Sequence, residues 1–305
     1  VNPHGARAVT DPLQVVGATI ASKYEITEFL GVFGPRAVYR AQHRAWGERV
    51  RIEFLAPDGR GDPQVAEAQR RAFVRASATV ARLASSLCAI VQPRDGGAHL
   101  TGRGEAAYVV YEWIDGVTVA DSFAAVRASG ARERYVPEMV VEWFTPVLDA
   151  MEVAHKEGIV HAHFDHAALW VVGGELGSRC ALKLDGLVEG AWRTALPGSS
   201  LPLRTPSAGF AAPELASCDA TLLGPWTDVY GVAAAMAELI CGSPDARALD
   251  RGLPQGMRYA FEKALNARLD SRFKNLASFR ASMLEGLESR GESKQRNPRR
   301  TMVVS

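Results

Sequence analysis

The 305 residues are 47% hydrophobic and 23% charged, the balance of a globular chain long enough to bury a sizeable core, and neither disordered nor fibrous. Thirty-five Lys and Arg against thirty-four Asp and Glu leave a net charge of +1, which excludes a strong overall field drawing the protein to nucleic acid or anionic lipid. No apolar run approaches the ~20 residues that span a bilayer, the first residues lack a signal-peptide pattern, and Cys88, Cys180, Cys218 and Cys241 lie far apart without a C-x-x-C pair. The expectation is reduced cytoplasmic thiols, with neither a zinc site nor a disulfide framework.

Residues 1–22, with Pro3, Gly5, Pro12 and Gly17, read as a leader. From Tyr24 to about Val110, five short runs have strand character: YEITEFLG, AVYRAQH, RVRIEFL, CAIVQP and AAYVVYEW. One helix, about Pro63 to Leu83, interrupts them. From about Val119 the pattern turns helical. Val140, Phe144, Val147 and Met151 recur on one helix face, and a second helix from Asp228 to Cys241 is apolar on most sides and so expected to be buried. Residues 288–305 read as a flexible, basic polar tail. The plan is α+β and two-lobed: a β-rich lobe over 23–114 and a helical lobe over 115–287.

Taken in order, the landmarks over 24–287 resemble the bacterial serine/threonine protein kinase family. LGVFGPRAVY (30–39) stands at the Gly-rich loop, VRIEFL (50–55) at V-A-I-K-x-L, and YVVYEWIDG (108–116) at the hinge. IVHAHFDHAALWVV (159–172) follows the long helix as the catalytic loop does. LKLDGLV (182–188), AAPE (211–214), WTDVYGVAAAMAELICG (226–242) and ALNARLDSRF (264–273) complete the series.

The resemblance implies a two-lobed kinase-like fold and also locates departures from it. Gly31 and Gly34 remain, but Phe33 and Arg36 stand at the other two loop glycines. The phosphate-gripping Lys is matched by Glu53 and its helix partner by Ala76. The hydroxyl-accepting Asp is matched by His163, the metal-binding Asn by Ala168 and the activation-sensing Arg by Ala162. Read without gaps from Lys183, the metal-binding Asp is matched by Gly186. A one-residue shift instead makes Asp185 the metal ligand. Arg51 and Trp170 match the two residues that sandwich adenine, so they are expected to fill that slot, with Phe33 covering it and Tyr111 as a bulky gatekeeper. Retained on the same comparison are His161, Asp228 as a cap on the catalytic loop, and a buried Glu214–Arg272 ion pair.

HAHFDH (161–166) also matches the H-x-H-x-D-H motif of the metallo-β-lactamase superfamily. Here it follows a helix, and no His occurs after His166. Solvent-facing loop histidines are therefore expected, with adventitious metal binding by His163, Asp165 and His166 as the alternative. Thr205, in the segment before AAPE, and Thr301, in RNPRRTM, are candidate phosphorylation sites.

These residues lead to the expectation of a pseudokinase: a protein-binding scaffold or allosteric regulator in signalling that does not bind ATP normally, with no enzymatic activity and no cofactor. Its partners would be other signalling proteins, such as an active kinase or a phosphothreonine-binding domain. The competing readings are a residual or atypical serine/threonine protein kinase or transferase that binds ATP–Mg through Asp185, and recognition of a small molecule in a remodelled cleft.

Overall fold

The computed structural model describes residues 10–55, 62–128, 134–177, 180–196, 205–217, 219–245, 247, 249, 253 and 255–295. The candidate site Thr301 lies outside them. The described residues fall into two units. The first takes those of 1–115 and 186–204, the second those of 116–185 and 205–305.

The first unit is built on a six-stranded sheet of order β1-β2-β3-β4-β6-β5. Its strands are β1 (Thr19–Ile20), β2 (Tyr24–Phe33), β3 (Arg36–His43), β4 (Arg49–Leu55), β5 (Pro93–Thr101) and β6 (Gly104–Glu112). All its paired neighbours are antiparallel. Side chains alternate along a strand, and in β4 this sends Val50, Ile52 and Phe54 into one apolar core with Tyr39, Tyr108 and Val110. Arg51 and Glu53 take the other face.

That apolar core needs a cover, and the stretch read as a leader supplies part of it. Leu13, Val15 and Ile20 are fully buried there. Asp11 anchors the stretch by accepting from the Leu13, Val15 and Val16 amides and from the Tyr39 hydroxyl at 2.6 Å. Its Pro and Gly content was legible in the sequence, but its fit to the sheet was not.

A second correction concerns CAIVQP. Ala89, Ile90 and Val91 are buried, yet the strand begins only at Pro93 and runs through the more polar PRDGGAHLT. Burial rather than ladder pairing accounts for the apolar run. The helix α1 (Pro63–Ala84) starts at an Asp62 cap with Pro63 in its first turn, and packs on β5, β6 and a later helix, α4 (Leu187–Ala195). The sequence had counted 186–195 with the helical lobe.

The second unit contains the small sheet β7 (Gly116–Thr118), β8 (Leu169–Val172) and β9 (Ala181–Leu184), in that order. Around it lie α2 (Val119–Ala128), α3 (Pro137–Lys156), α5 (Pro225–Cys241), α6 (Gln255–Ala264) and α7 (Leu276–Gln295). Val140, Phe144, Val147 and Met151 of α3 are all buried, and α5 is buried along nearly its whole length, as its all-round apolar sequence requires. α7 runs past residue 287 into the stretch read as tail.

Arg272 is clamped inside this unit. It donates to both carboxylate oxygens of Glu214, at 2.8 and 3.2 Å, and to the Asn266 and Trp226 carbonyls. Removing one member of such a buried pair strands the other charge. Arg272→Met or Glu214→Gln is therefore expected to lower unfolding free energy by about 3–5 kcal/mol, with the double variant less damaging than the two single losses summed. Urea denaturation of the three variants measures this.

Candidate functional site

The loop after α3 is organised by one carboxylate. Asp228, in the first turn of α5, is buried. Its Oδ2 accepts from the His161 amide at 2.8 Å and from His155 Nε2 at 2.8 Å, and its Oδ1 accepts from the Ala162 amide at 2.7 Å. Burial pushes this carboxyl up, but the His155 hydrogen bond and the nearby His155 and His161 rings, with the Ala162 amide, hold it below the ordinary Asp value. Ala162 needs that support because its φ of 59° lies in the left-handed region, costly for a residue with a Cβ. α5 approaches this loop closely because it carries Gly231, where an added Cβ would stand 3.0 Å from the Phe164 carbonyl oxygen.

The histidines face inward, contrary to expectation. His161 has no exposed surface, and His163 and His166 are buried with Asp165. A carbonyl oxygen can only accept, so His161 Nε2 donates to Asp185 O at 2.7 Å, His163 Nδ1 to His161 O at 2.7 Å and His166 Nε2 to Ala235 O at 3.0 Å. His166 Nδ1 lies 3.1 Å from Glu238 Oε2, and Glu238 also pairs with Arg127. Asp165 accepts from the Ala167 amide and from both the amide and the hydroxyl of Ser207. His163, Asp165 and His166 are thus each tied to different parts of the fold. Among the described residues, no group of three or more His, Cys, Asp or Glu is arranged to hold a metal. Thr205 is exposed.

Asp185 directly follows β9 and is held at three points. Its amide donates to Ala168 O at 2.8 Å, its carbonyl accepts from His161, and its carboxylate Oδ2 accepts from Trp170 Nε1 at 3.1 Å. Trp170 faces Lys183 across the β8–β9 ladder, so the two short strands bring its indole to the carboxylate. Gly186 has φ of 93° and caps α4, a left-handed conformation that glycine adopts without a steric penalty. A hard cation such as Mg²⁺ can be held by one carboxylate together with phosphate oxygens and water, and Asp185 fits that donor set.

In the first unit, Glu53 is 3% exposed and paired, not turned to solvent. Arg36 Nη1 lies 2.5 Å from Glu53 Oε2, Arg51 Nε lies 3.2 Å from Glu53 Oε1, and Arg36 Nε lies 3.0 Å from Glu189 Oε1 on α4. Arg51 also stacks over Tyr111 at 4.7 Å. Ala76 is buried in α1. Phe33 is half exposed, its ring lying against Gly31. Arg51 and Trp170, expected to fill the adenine slot, are each fixed by partners within their own unit. Sequence reasoning missed Arg36 and Glu189 as ion partners, and it missed Glu238. A lone Glu within an otherwise apolar helix was the available signal for Glu238.

No family model matches the chain. It is 30% identical over 144 residues to a probable serine/threonine-protein kinase of Streptomyces coelicolor, covering 47% of this chain and 19% of that protein. It is 25% identical over 229 residues to the serine/threonine-protein kinase PknB of Mycobacterium tuberculosis, covering 74% of this chain and 33% of PknB. The chain thus spans a third or less of the length of these relatives. Among solved structures, a double mutant of the M. tuberculosis PknI kinase domain superposes with a TM-score of 0.65 at 21% identity, covering 89% of this chain and 98% of that one. PpkA-294 in an apo form gives 0.63 at 18% identity, covering 88% and 98%. The fold is that of protein kinases, and the sequence likeness is to bacterial serine/threonine protein kinases. The expectation of a chain with no enzymatic activity is corrected by these relatives, which are named kinases and point to an enzyme.

Asp228→Asn turns an NH₂ donor toward a loop amide N–H that meets a carboxylate acceptor in the parent, and is expected to cost on the order of 3 kcal/mol. Because the folded Asp228 carboxyl lies below its ordinary value of 3.8, its contribution is fully present above that pH and lost as pH falls through the lower, folded value. Acid titration of the parent and the Asn variant should therefore converge in stability only at that acid end.

Proposed function

We propose that the chain is a residual or atypical serine/threonine protein kinase, or a related transferase, that binds ATP–Mg²⁺ through Asp185. Its partners would be signalling proteins that offer a serine or threonine hydroxyl. The single observation carrying this reading is the three-point placement of Asp185 by Ala168, His161 and Trp170. The named kinases among the relatives support it. The metal would offset phosphate charge, the main electrostatic demand of phosphoryl transfer.

Within the second unit, the residues divide the work of presenting that carboxylate. His161 and Ala168 fix the backbone on either side of the Asp185 Cα, and Trp170 orients the side chain by holding one oxygen. Trp170 is accordingly a positioning residue. The free thiols of Cys88, Cys180 and Cys241 suit a reducing compartment supplied with ATP, which favours the cytoplasm. Among the described residues, no helix is long and apolar enough to cross a membrane.

Thermal denaturation with ATP in the presence and absence of Mg²⁺ tests the proposal. A ligand at 100 times its Kd adds about 2.7 kcal/mol, so a metal-dependent rise in Tm is expected. Asp185→Ala should abolish the metal-dependent part, and Trp170→Phe, which keeps the ring but removes the N–H, should weaken it. Labelled phosphate should pass from ATP to a mixture of serine- and threonine-containing peptides. A Tm indifferent to ATP–Mg²⁺ would sink the reading.

A further inference from the structure

Among the described residues other than glycine, only Gln14, Ala21, Ser22 and Ala162 have a positive φ. Two of the four are adjacent and share one turn. Ala21, at 50°, and Ser22, at 57°, join β1 to β2, and the Lys23 amide closes the turn by donating to Ile20 O at 3.0 Å. Hairpin turns with two left-handed central residues favour Asn-Gly, because a Cβ in that region crowds the following carbonyl. Both Ala21 and Ser22 carry that crowding.

The turn is held closed by what lies on either side of it. Downstream, the Lys23 carbonyl accepts from the Arg44 amide at 2.8 Å, and its ammonium pairs with Asp95 at 3.0 Å. Upstream, residues 11–20 form an arm laid on the sheet. Leu13, Val15 and Ile20 enter the apolar core, and Asp11 accepts from the Tyr39 hydroxyl. The Gly17 amide donates to Ile26 O, the Ile26 amide to Ala18 O and the Gly102 amide to Leu13 O. These contacts join the arm to residues beyond the turn, so the arm of a second copy can make the same ones. Only the turn itself has to change.

The strand register allows that exchange to close. Thr19 stands opposite Glu25, and Ile20 opposite Tyr24. If Ala21 and Ser22 extend, β1 and β2 become one continuous strand, and two such strands related by a two-fold axis pair antiparallel. In the unchanged register, Ala21 meets Lys23 of the second copy, and Ser22 meets Ser22 of the second copy on the axis. The ladder then runs unbroken from one arm to the other with no like charges directly opposite.

We propose that residues 11–20 are an exchangeable arm, and that the chain forms a two-fold dimer in which each copy's arm covers the other's sheet. Relief of strain in two turns and the new pairing over residues 21–23 favour the dimer, because short strained connections invite exchange. The lost freedom of two separate chains opposes it, so the balance shifts with protein concentration. The proposal does not depend on Asp185 or on the activity of the chain.

The test unfolds the full chain in urea, refolds it over a series of concentrations and follows its mass by sedimentation equilibrium. The parent should show a dimer that grows with concentration. Proline cannot take a positive φ, and Ile20 before it is already extended as proline requires. Ala21→Pro should therefore dimerise at least about tenfold more tightly than the parent, the scale of strain at one left-handed residue. Ala21→Asn with Ser22→Gly accepts the closed turn and should dimerise at least about tenfold more weakly. To follow the arm itself, Thr19→Cys chains are refolded together with Glu25→Cys chains and oxidised, and peptide masses should reveal a disulfide from position 19 of one chain to position 25 of the other. A parent monomeric at every concentration overturns the proposal, as does a dimer without that link or one indifferent to both turn variants. Should Ala21→Pro fail to fold, the Asn-Gly variant decides alone, and an unchanged dimer constant again overturns the exchange.

Discussion

The Asp228 carboxylate is the constraint on which the second unit's site depends. It satisfies two consecutive loop amides, at His161 and Ala162, and a ring nitrogen of α3, at His155. Those bonds stabilise a left-handed alanine, and the turn it makes puts His161 where Nε2 meets the Asp185 carbonyl. From one buried anion, therefore, a sequence of hydrogen bonds runs through the loop to the residue just after β9. Buried networks of this kind specify a local arrangement, because breaking one of these bonds leaves a buried amide or carboxylate oxygen unpaired.

The first unit handles buried charge differently. There, ion pairs rather than backbone amides neutralise the carboxylates, and the arginines come from positions where the family pattern has a glycine and a small residue. Reversing the sign at position 53 did not leave an isolated charge, since Arg36 and Arg51 both close on it. The cluster is tolerable in the interior only because its members are matched in number and held at short distance. It also ties α4 to the sheet, through Glu189, by a contact independent of the apolar packing around Trp192.

Matching residues one by one to kinase positions led to the expectation of a chain without enzymatic activity. That inference took each departure as a loss, although a replaced residue can be compensated by a neighbour from another element, as at Glu53. It also depended on a register that the sequence left open. The named kinases among the relatives argue for the activity itself.

The sequence by itself determined the α+β plan, the positions of β2, β3, β4 and β6, the buried helices α3 and α5, and the Glu214–Arg272 pair. The elements are carried by local periods, which a linear string records directly, and the Glu214–Arg272 pair is what the kinase resemblance implies. Only the tertiary structure decided that residues 11–20 cover the sheet, that the strand after α1 begins at Pro93, and that the loop histidines turn inward. It alone brought Arg36 and Glu189 to Glu53, and Trp170 to Asp185. Those pairs join elements far apart in the chain or side chains whose direction is set by strand pairing. Their energy arises only when both partners lose water together, and no pattern within either segment encodes that.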